Sequence, residues 1–291
     1  MGGEETAGGD KMKQHLRVLN LGAGVQSTAI YLMMCDGEIE PADVAIFADV
    51  QDEPQEVYTH LQRLQELSGP EICVVSAGSI GDNLVSGVNA TGQRYVPIPT
   101  FLQLGDTKGG MGRRQCTSEY KIRPIEKEIR VRMDATGRPL RKDQTVQQVF
   151  GLSFDEPRRV ERVRAQFLKR SGWSAEFPLF DDMMTRADCL QYLEKRWRHP
   201  VPRSACVFCP YHSDDEWMRL KAAGGAEWAR IVEIDHAIRE ETSICTKGMN
   251  ATQYLHRSCK PIDEVEFKPS ADSGQQTFNW SQMDCEGMCG V

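Results

Sequence analysis

The chain has 291 residues, a net charge of −7 and 40% hydrophobic residues. Its length permits a substantial core, as one large domain or one domain with an appendage, and it contains no apolar stretch long enough to span a bilayer. The negative charge is not typical of a protein that binds nucleic acid over its whole surface. Residues 1–14 lack an apolar segment and are expected to form a flexible tail, so the sequence predicts a cytoplasmic location and no signal peptide.

Strands and helices alternate in the first half of the chain. Apolar runs indicate strands, and helical periodicity separates them. The predicted strands are Leu16–Leu21, Val44–Ala48, Ile72–Ser76 and Val146–Leu152, and the first two predicted helices are Ser27–Asp36 and Pro54–Ser68. This order favours the α/β class, with a doubly wound parallel sheet covered by helices on both faces. Right-handed crossovers then bring the loops after the strands to one edge, where ligands bind.

The rest of the chain is predicted to contain an irregular segment followed by helices. The glycine-rich segment Gly87–Gly112 indicates a mobile flap or a floppy surface loop. Helices are predicted at Glu119–Met133, Thr185–Arg196, Ser213–Ala222 and Ala226–Glu241, with Thr185 as an N-cap. The sequence therefore suggests four parts: a tail over 1–14, an α/β domain over 15–180, a helical cysteine-containing region over 181–267 and a flexible tail over 268–291.

A loop of small residues joins the first predicted strand to the first predicted helix. A strand that turns directly into a helix leaves backbone N–H groups at the positive end of the helix dipole, which predicts a phosphate site. Glycine-rich turns of this kind also occur for packing reasons. The loop is not a Walker loop, because no Gly-Lys-Ser/Thr follows, and Ser27 replaces the third glycine of a dinucleotide-binding fingerprint. Its residues are Gly22, Ala23, Gly24, Val25, Gln26, Ser27 and Thr28.

Ten cysteines are many for a chain in a reducing compartment, where structural disulfides are rare. Cys206 and Cys209 form a C-x-x-C turn, a spacing that lets two thiolates reach one metal ion or cluster. Two alternatives stay open: a zinc site completed by Cys116 and His212, and an iron–sulfur cluster that uses thiolates from elsewhere in the chain. Three other cysteines lie in apolar segments and are expected to be ordinary buried residues: Cys35, Cys73 and Cys189.

Cys116 lies among basic residues. Arg114 and Lys121 would lower the pKa of its thiol, which favours metal binding and nucleophilic attack, and they can also hold substrate phosphates. A surface cysteine at the start of a basic helix is the alternative. Two longer basic runs, over 108–132 and 158–170, are interpreted either as a polyanion-binding surface or as solvated helix faces.

The order of these motifs resembles that in the adenine nucleotide alpha-hydrolase superfamily (PP-loop ATP pyrophosphatases), and within it the phosphoadenylyl-sulfate (PAPS) reductase-like branch. The resemblance extends from about residue 16 to 289 and implies a Rossmann-like fold. The loop 22–27 is similar to the Ser-Gly-Gly-x-Asp-Ser pyrophosphate loop of the superfamily. Phe47–Val50 resembles its second-strand motif, in which an acidic residue ends a buried strand beside the nucleotide.

The cysteine segments resemble those of the iron–sulfur reductases in this branch. Cys116, followed by Lys121 and Pro124, is similar to their Cys-Cys…Lys…Pro segment. Cys206 and Cys209 resemble the pair that binds a four-iron cluster. The segment 284–287, Asp-Cys-Glu-Gly, is similar to the Glu-Cys-Gly catalytic tail.

Three departures from the family pattern change what the resemblance implies. Gly22 and Gln26 replace the usual Ser and Asp of the loop, so the metal-holding role of that Asp does not carry over. Thr117 replaces the second cysteine of the first pair, and the tail lacks its final His. A [4Fe-4S] cluster would then have three protein ligands and one open iron, as in tRNA-thiolating members, where the open iron is thought to carry sulfide. Those three ligands would be Cys116, Cys206 and Cys209.

The resemblance implies an ATP-dependent sulfurtransferase that adenylylates an acceptor and replaces its oxygen by sulfur. Mg²⁺ would be held by Asp49, or by Asp52 with Glu53. The expected acceptor is a nucleobase, a nucleotide or a nucleic acid, the sulfur donor is sulfide or a cysteine desulfurase persulfide, and a homodimer is one compatible assembly. The predicted catalytic residues are Cys116, Cys285, Cys289, Asp49, Arg114 and Lys121, and the predicted nucleotide-binding residues beyond the loop are Asp49, Ser153, Asp155 and Arg158.

Two alternative functions use the same residues. A sulfonucleotide reductase would attack the sulfur of adenylyl sulfate or phosphoadenylyl sulfate with a tail thiolate, Cys285 or Cys289, and would need no ATP. A nucleic-acid-binding module would hold zinc with the C-x-x-C pair and His212, and would contain no iron. Sulfur transfer differs from both because it yields AMP and pyrophosphate.

Overall fold

A five-stranded parallel sheet forms the centre of the molecule. The computed structural model describes residues 14–87, 98–240 and 251–269. The strands of the central sheet are β1 (Gln14–Asn20), β2 (Val44–Asp49), β3 (Glu71–Ser76), β6 (Gln144–Val149) and β7 (Trp173–Glu176), and a small antiparallel sheet contains β4 (Phe101–Leu104), β5 (Thr107–Met111) and β8 (Thr252–Tyr254). The central sheet has the order β3-β2-β1-β6-β7, with every neighbouring pair parallel. The α/β prediction is therefore confirmed as a Rossmann-like arrangement.

The strand order reverses at β1, which pairs with β2 on one side and β6 on the other. In register, Leu19 lies opposite Ala45 and Val149. The loops after β1 and β6 therefore diverge to opposite faces and leave a crevice between them at the carboxyl edge. Such a switch point is where open α/β sheets bind their ligands.

Helices cover both faces of this sheet. The α-helices of the described residues are α1 (Val25–Asp36), α2 (Gln55–Gln65), α3 (Ile80–Ser86), α4 (Arg123–Arg132), α5 (Pro157–Phe167), α6 (Pro178–Asp181), α7 (Arg186–Arg196), α8 (Asp214–Ala223) and α9 (Gly225–Ala237). Thr185 caps α7 with a reciprocal capping box, as its sequence position predicts, and Ser213 caps α8. No helix in the described ranges has both the length and the apolar character needed to cross a membrane.

Successive side chains of β1 enter different cores, because strand residues alternate between faces. Leu19 packs with Ile30 of α1 and Leu193 of α7 on one face. Val18 packs with Ile129 of α4 and other apolar residues on the opposite face. Helix α1 is buried over nearly its whole length, since α7 covers the side that the sheet does not. Loop 22–28, the predicted phosphate loop, is therefore anchored to a rigid helix.

A third core joins α3 to the carboxyl-terminal helices. Trp217 of α8, Ile231 of α9 and Phe208 are fully buried there, together with Tyr120. This core lies beside the loop that follows β2, because Val207 donates a backbone hydrogen bond to Asp52 at 2.8 Å. The segment with the C-x-x-C motif is thus fixed to the central sheet.

The prediction of an irregular segment over 87–112 is wrong for residues 101–111. Residues 101–111 form the antiparallel hairpin β4–β5, which turns at Gly105 with a φ of 53°. The third strand of that sheet, β8, is supplied by residues 252–254. The glycines conceal the residue pattern that would predict a strand. The pairing of β4 with β8 also leaves no local signal, because the two strands are distant in sequence.

Other differences concern short elements and boundaries. The four-residue strand β7 was not predicted, because it is too short for a clear period. The helix expected from Glu119 starts earlier, in a π-helical turn over Thr117–Ile122 that leads directly into α4. The helix predicted over 226–241 ends at Ala237. Helices α3, α5 and α6 were not predicted. The other predicted strands and helices are present, with ends shifted by at most three residues.

Candidate functional site

The phosphate loop follows β1 and turns into α1. Ala23 has a left-handed φ of 57°, and Gly24 stands at the N-cap without a side-chain hydrogen bond to the helix. The hydroxyl of Ser27 accepts a hydrogen bond from the Gly22 N–H at 3.2 Å, which closes the loop upon itself. The positive end of α1 therefore faces the crevice at the switch point, as an anion site requires.

Gln26 joins the loop to two other elements, the start of α7 and the segment that precedes α5. Its Oε1 accepts a hydrogen bond from Arg186 Nη1 at 2.7 Å. Its Nε2 donates to Glu156 Oε2 at 3.3 Å and to Ser153 Oγ at 3.4 Å. An aspartate here would place a second carboxylate close to Glu156, and like charges repel. The neutral amide is therefore suited to this neighbourhood.

A cavity of about 410 Å³ opens beside Gln26. Its lining contains residues from the first turns of α1, α5 and α7, whose positive ends all face it. Arg158 is exposed and has no hydrogen-bond or ion-pair partner among the described residues, whereas Arg159 forms an ion pair with Glu156. The charged residues of the lining are Asp155, Glu156, Arg158, Arg159 and Arg186. Arginine side chains at converging helix N-termini suit a phosphate-bearing ligand.

Of the acidic residues at the end of β2 and in the loop that follows, Asp49 retains the most capacity to bind a cation. Its Oδ1 accepts hydrogen bonds from the Gln51 N–H at 2.7 Å and from the Tyr58 hydroxyl at 2.9 Å. Its Oδ2 makes no hydrogen bond to a described residue. Burial and the Asp49 carboxylate raise the pKa of Tyr58, so its hydroxyl remains a donor. By contrast, the carboxylate of Asp52 accepts hydrogen bonds from Arg230 at 3.0 Å and from the Gly81 N–H at 2.8 Å.

Lys121 forms a buried ion pair with Glu53. Nζ lies 3.0 Å from Oε1, and the two side chains are 8% and 0% exposed. The pair joins the π-helical turn to the loop after β2. Lys121 is therefore held in place by Glu53, and it borders a cavity that also contains the predicted metal ligands.

Three predicted metal ligands line that cavity, beside the carboxyl end of β2. Cys116, Cys206 and Cys209 all contribute to the wall, together with Arg114 and Lys121. The Arg114 guanidinium lies 5.2 Å from the ring centroid of Tyr211, which orients it. A hydrogen bond with Cys209, burial and the nearby acidic groups raise the pKa of the Cys206 thiol well above its usual range. The Cys206 thiol is therefore protonated at neutral pH despite the cations next to Cys116.

The donor chemistry of the cavity suits a thiophilic metal, since three thiols share one small space. Its volume of about 20 Å³ admits a single ion, and a four-iron cluster would require the walls to separate. Among the residues described, no three His, Cys, Asp or Glu side chains are arranged as a ready ligand set. Metal binding would therefore involve rotation of these side chains and loss of their protons.

Both ring nitrogens of His212, the zinc ligand considered from the sequence, contact other groups. Its Nε2 lies 3.0 Å from the carbonyl oxygen of Cys206, and Nδ1 lies 3.4 Å from Arg203 Nη1. Its ring also packs edge-on against Trp217, with 4.8 Å between centroids. The histidine thus supports the C-x-x-C turn through backbone and ring contacts.

Many cations of the two basic runs are paired within the molecule. Arg170 contacts Glu126 at 2.7 Å, and Arg164 contacts Asp181 at 3.0 Å. Arg132 contacts both Glu128 and Glu71. These pairs favour the interpretation as solvated helix faces for much of both runs.

The predicted site residues therefore form two groups at one edge of the sheet. Loop 22–28 lies with Ser153, Asp155 and Arg158, and the three cysteines lie with Arg114 and Lys121. Cys285 and Cys289 fall outside the described residues. Sequence reasoning missed Arg186, since a single arginine at the start of a helix carries no local signal of a distant partner. No family model, curated protein or solved structure matches this chain.

Proposed function

We propose that this protein is an ATP-dependent sulfurtransferase, which adenylylates an acceptor and then replaces the activated oxygen by sulfur. One observation carries the proposal. The phosphate loop, the arginine-lined cavity and the cysteine-lined cavity follow the carboxyl ends of β1, β6 and β2, which are neighbouring strands of one sheet. A nucleotide bound at the switch point would have sulfur-bearing side chains on one side and cationic side chains on the other.

In the first step, an oxygen of the acceptor attacks the α-phosphorus of ATP. A new P–O bond forms, the bond to the β-phosphate oxygen breaks, and pyrophosphate leaves. The N–H groups of loop 22–28 and the guanidinium groups of Arg158 and Arg186 stabilise the negative charge that develops. Oδ2 of Asp49 is available to hold Mg²⁺ on the phosphates.

In the second step, a sulfur nucleophile attacks the acceptor carbon. The C–S bond forms as the C–O bond breaks, and AMP leaves with that oxygen. With sulfide as nucleophile the step needs no reductant. With a persulfide on Cys285 or Cys289, a thiol must then reduce the resulting disulfide. A metal held by Cys116, Cys206 and Cys209 would supply a site that binds sulfide.

The test starts with protein purified without oxygen, whose iron and zinc contents are measured. ATP turnover is then followed with sulfide and with a panel of nucleobases, nucleotides, tRNA and DNA. The proposal predicts AMP and pyrophosphate in equal amounts, with a thiolated acceptor as co-product. Sulfite release from adenylyl sulfate without ATP, or a zinc protein without ATP turnover, would contradict it.

A matched pair of cysteine variants tests the thiol-lined cavity. Cys206→Ser is expected to abolish sulfur transfer while ATP still binds, because the phosphate site is formed by other residues. Cys73→Ser is the control, since Cys73 lies on β3 and does not line the cavity. Equal sulfur transfer by the two variants would show that the cavity plays no part.

A further inference from the structure

A second basic cavity lies at the opposite edge of the sheet. It has a volume of about 400 Å³ and is bounded by α4, the turn 137–140 and the start of β7. Among the described residues, three arginines and no acidic side chain line it. The residues that carry the argument are Arg130, Arg138, Arg170, Leu140 and Trp173.

Two of the arginines are held in position by Trp173. The Arg170 guanidinium lies 4.0 Å from the centroid of the Trp173 ring system, and its Nη1 lies 2.7 Å from Glu126 Oε1. The Arg130 guanidinium lies 5.6 Å from the same ring system and donates to the carbonyl oxygen of Arg138 at 2.7 Å. These contacts fix the guanidinium groups before any ligand arrives, which lowers the entropic cost of binding.

Arg138 forms the exposed rim of the cavity. Its side chain is 56% exposed, and its ion-pair partner Asp134, 3.2 Å away, is 87% exposed. An ion pair this exposed contributes little to stability. Arg138 can therefore exchange Asp134 for an anion in the cavity at small cost.

We propose that this cavity binds a phosphate ester of the nucleotide class. Guanidinium groups match phosphate oxygens in paired hydrogen bonds, and the partly exposed side chain of Leu140 offers apolar surface to a base. The cavity volume of about 400 Å³ lies in the range of small-ligand pockets and is larger than the volume that one acidic side chain would fill. The ligand is a mononucleotide or one unit of a nucleic-acid strand, and the site is independent of the proposed sulfur transfer.

Fluorescence anisotropy with a labelled 12-nucleotide single strand, and calorimetry with AMP, test the site in the full-length protein. Arg138→Glu is expected to weaken binding of at least one probe by about tenfold or more, as expected for a lost hydrogen bond to a charged group. Arg141→Glu is the matched control. It makes the same charge change on an exposed arginine of the same segment, outside the lining, and should weaken binding by about twofold at most.

The two probes distinguish the sources of the phosphate. Loss confined to the strand identifies nucleic acid, and loss confined to AMP identifies a free nucleotide; both support the site. Three results would overturn the proposal: equal weakening of binding by Arg138→Glu and Arg141→Glu, no binding of either probe, and binding of polyglutamate in place of the strand with the same dependence on Arg138. Pyrophosphate release with a small acceptor is measured in parallel, and its failure would count against sulfur transfer alone.

Discussion

Gln26 connects the phosphate loop to α5 and α7 through one amide. The variant Gln26→Glu has a side chain of nearly the same shape, but it places a carboxylate where the amide now donates a hydrogen bond to Glu156 at 3.3 Å. ATP binding is expected to weaken by about tenfold or more, because the lost hydrogen bond and the added negative charge both act on the phosphate site.

Titration calorimetry with ATP measures this effect. Gln191→Glu, at an exposed position of α7, is the control for the added charge. An affinity for ATP that is equal in the two variants would show that Gln26 is not part of the phosphate site.

His60 contacts the last residue of the same loop, since its Nε2 lies 3.0 Å from the hydroxyl oxygen of Thr28. Burial, with the charges of Arg63 and His199, lowers the pKa of His60 from 6.5 to about 4. Between these values the unfolded chain binds a proton that the folded protein excludes. The stabilising contribution is therefore present above pH 6.5 and is lost as the pH falls towards 4, by up to about 3 kcal/mol.

Urea denaturation at several pH values between 4 and 7 measures this loss. His60→Gln keeps a hydrogen-bond donor beside Thr28 but does not titrate, so its free energy of unfolding should fall less over the same range. Identical pH profiles for the variant and the original protein would assign the pH dependence to other groups.

At the level of elements, the Glu53–Lys121 ion pair joins the π-helical turn to the loop after β2. Removing one partner leaves a buried charge without compensation, so Lys121→Met alone should cost about 3–5 kcal/mol of stability. The double variant with Glu53→Leu should recover much of that loss, because neither buried charge remains.

Denaturation and ATP turnover separate the two roles of Lys121. A double variant that is stable but inactive supports Lys121 in the chemistry, whereas a stable and fully active one restricts the pair to a structural role. If the double variant is no more stable than Lys121→Met, the unpaired charge of Glu53 does not explain the loss of stability in Lys121→Met.

The elements that sequence patterns predicted are those with a strong local period. β1, β2 and β3 are apolar runs, and Thr185 precedes α7 with an acidic residue three positions later. Glycine conceals the hairpin β4–β5, and its partner β8 comes from a distant segment. The hydrogen bonds of Gln26 with Arg186 and Glu156 likewise depend on how the chain folds, so sequence could identify the loop but not what surrounds it.

On the scale of the whole molecule, the topology assembles the candidate site from distant segments. The reversal of strand order at β1 opens the crevice, and the backbone hydrogen bond from Val207 to Asp52 fixes the C-x-x-C turn beside it. The alternation of strands and helices predicted that the loops after the strands lie at one edge of the sheet. The third core, which positions Cys206 and Cys209 next to Cys116, could not be predicted because it depends on long-range packing.

Turnover of ATP labelled separately at the α- and γ-phosphates, with acceptor and sulfide present and oxygen excluded, tests the proposed reaction. Adenylylation of the acceptor breaks the bond between the α- and β-phosphates. The α-label should therefore appear in AMP and the γ-label in pyrophosphate, both only when acceptor is added. Labelled ADP with inorganic phosphate, or labelled ATP that stays intact while an acceptor gains sulfur, would contradict the proposed sulfurtransferase.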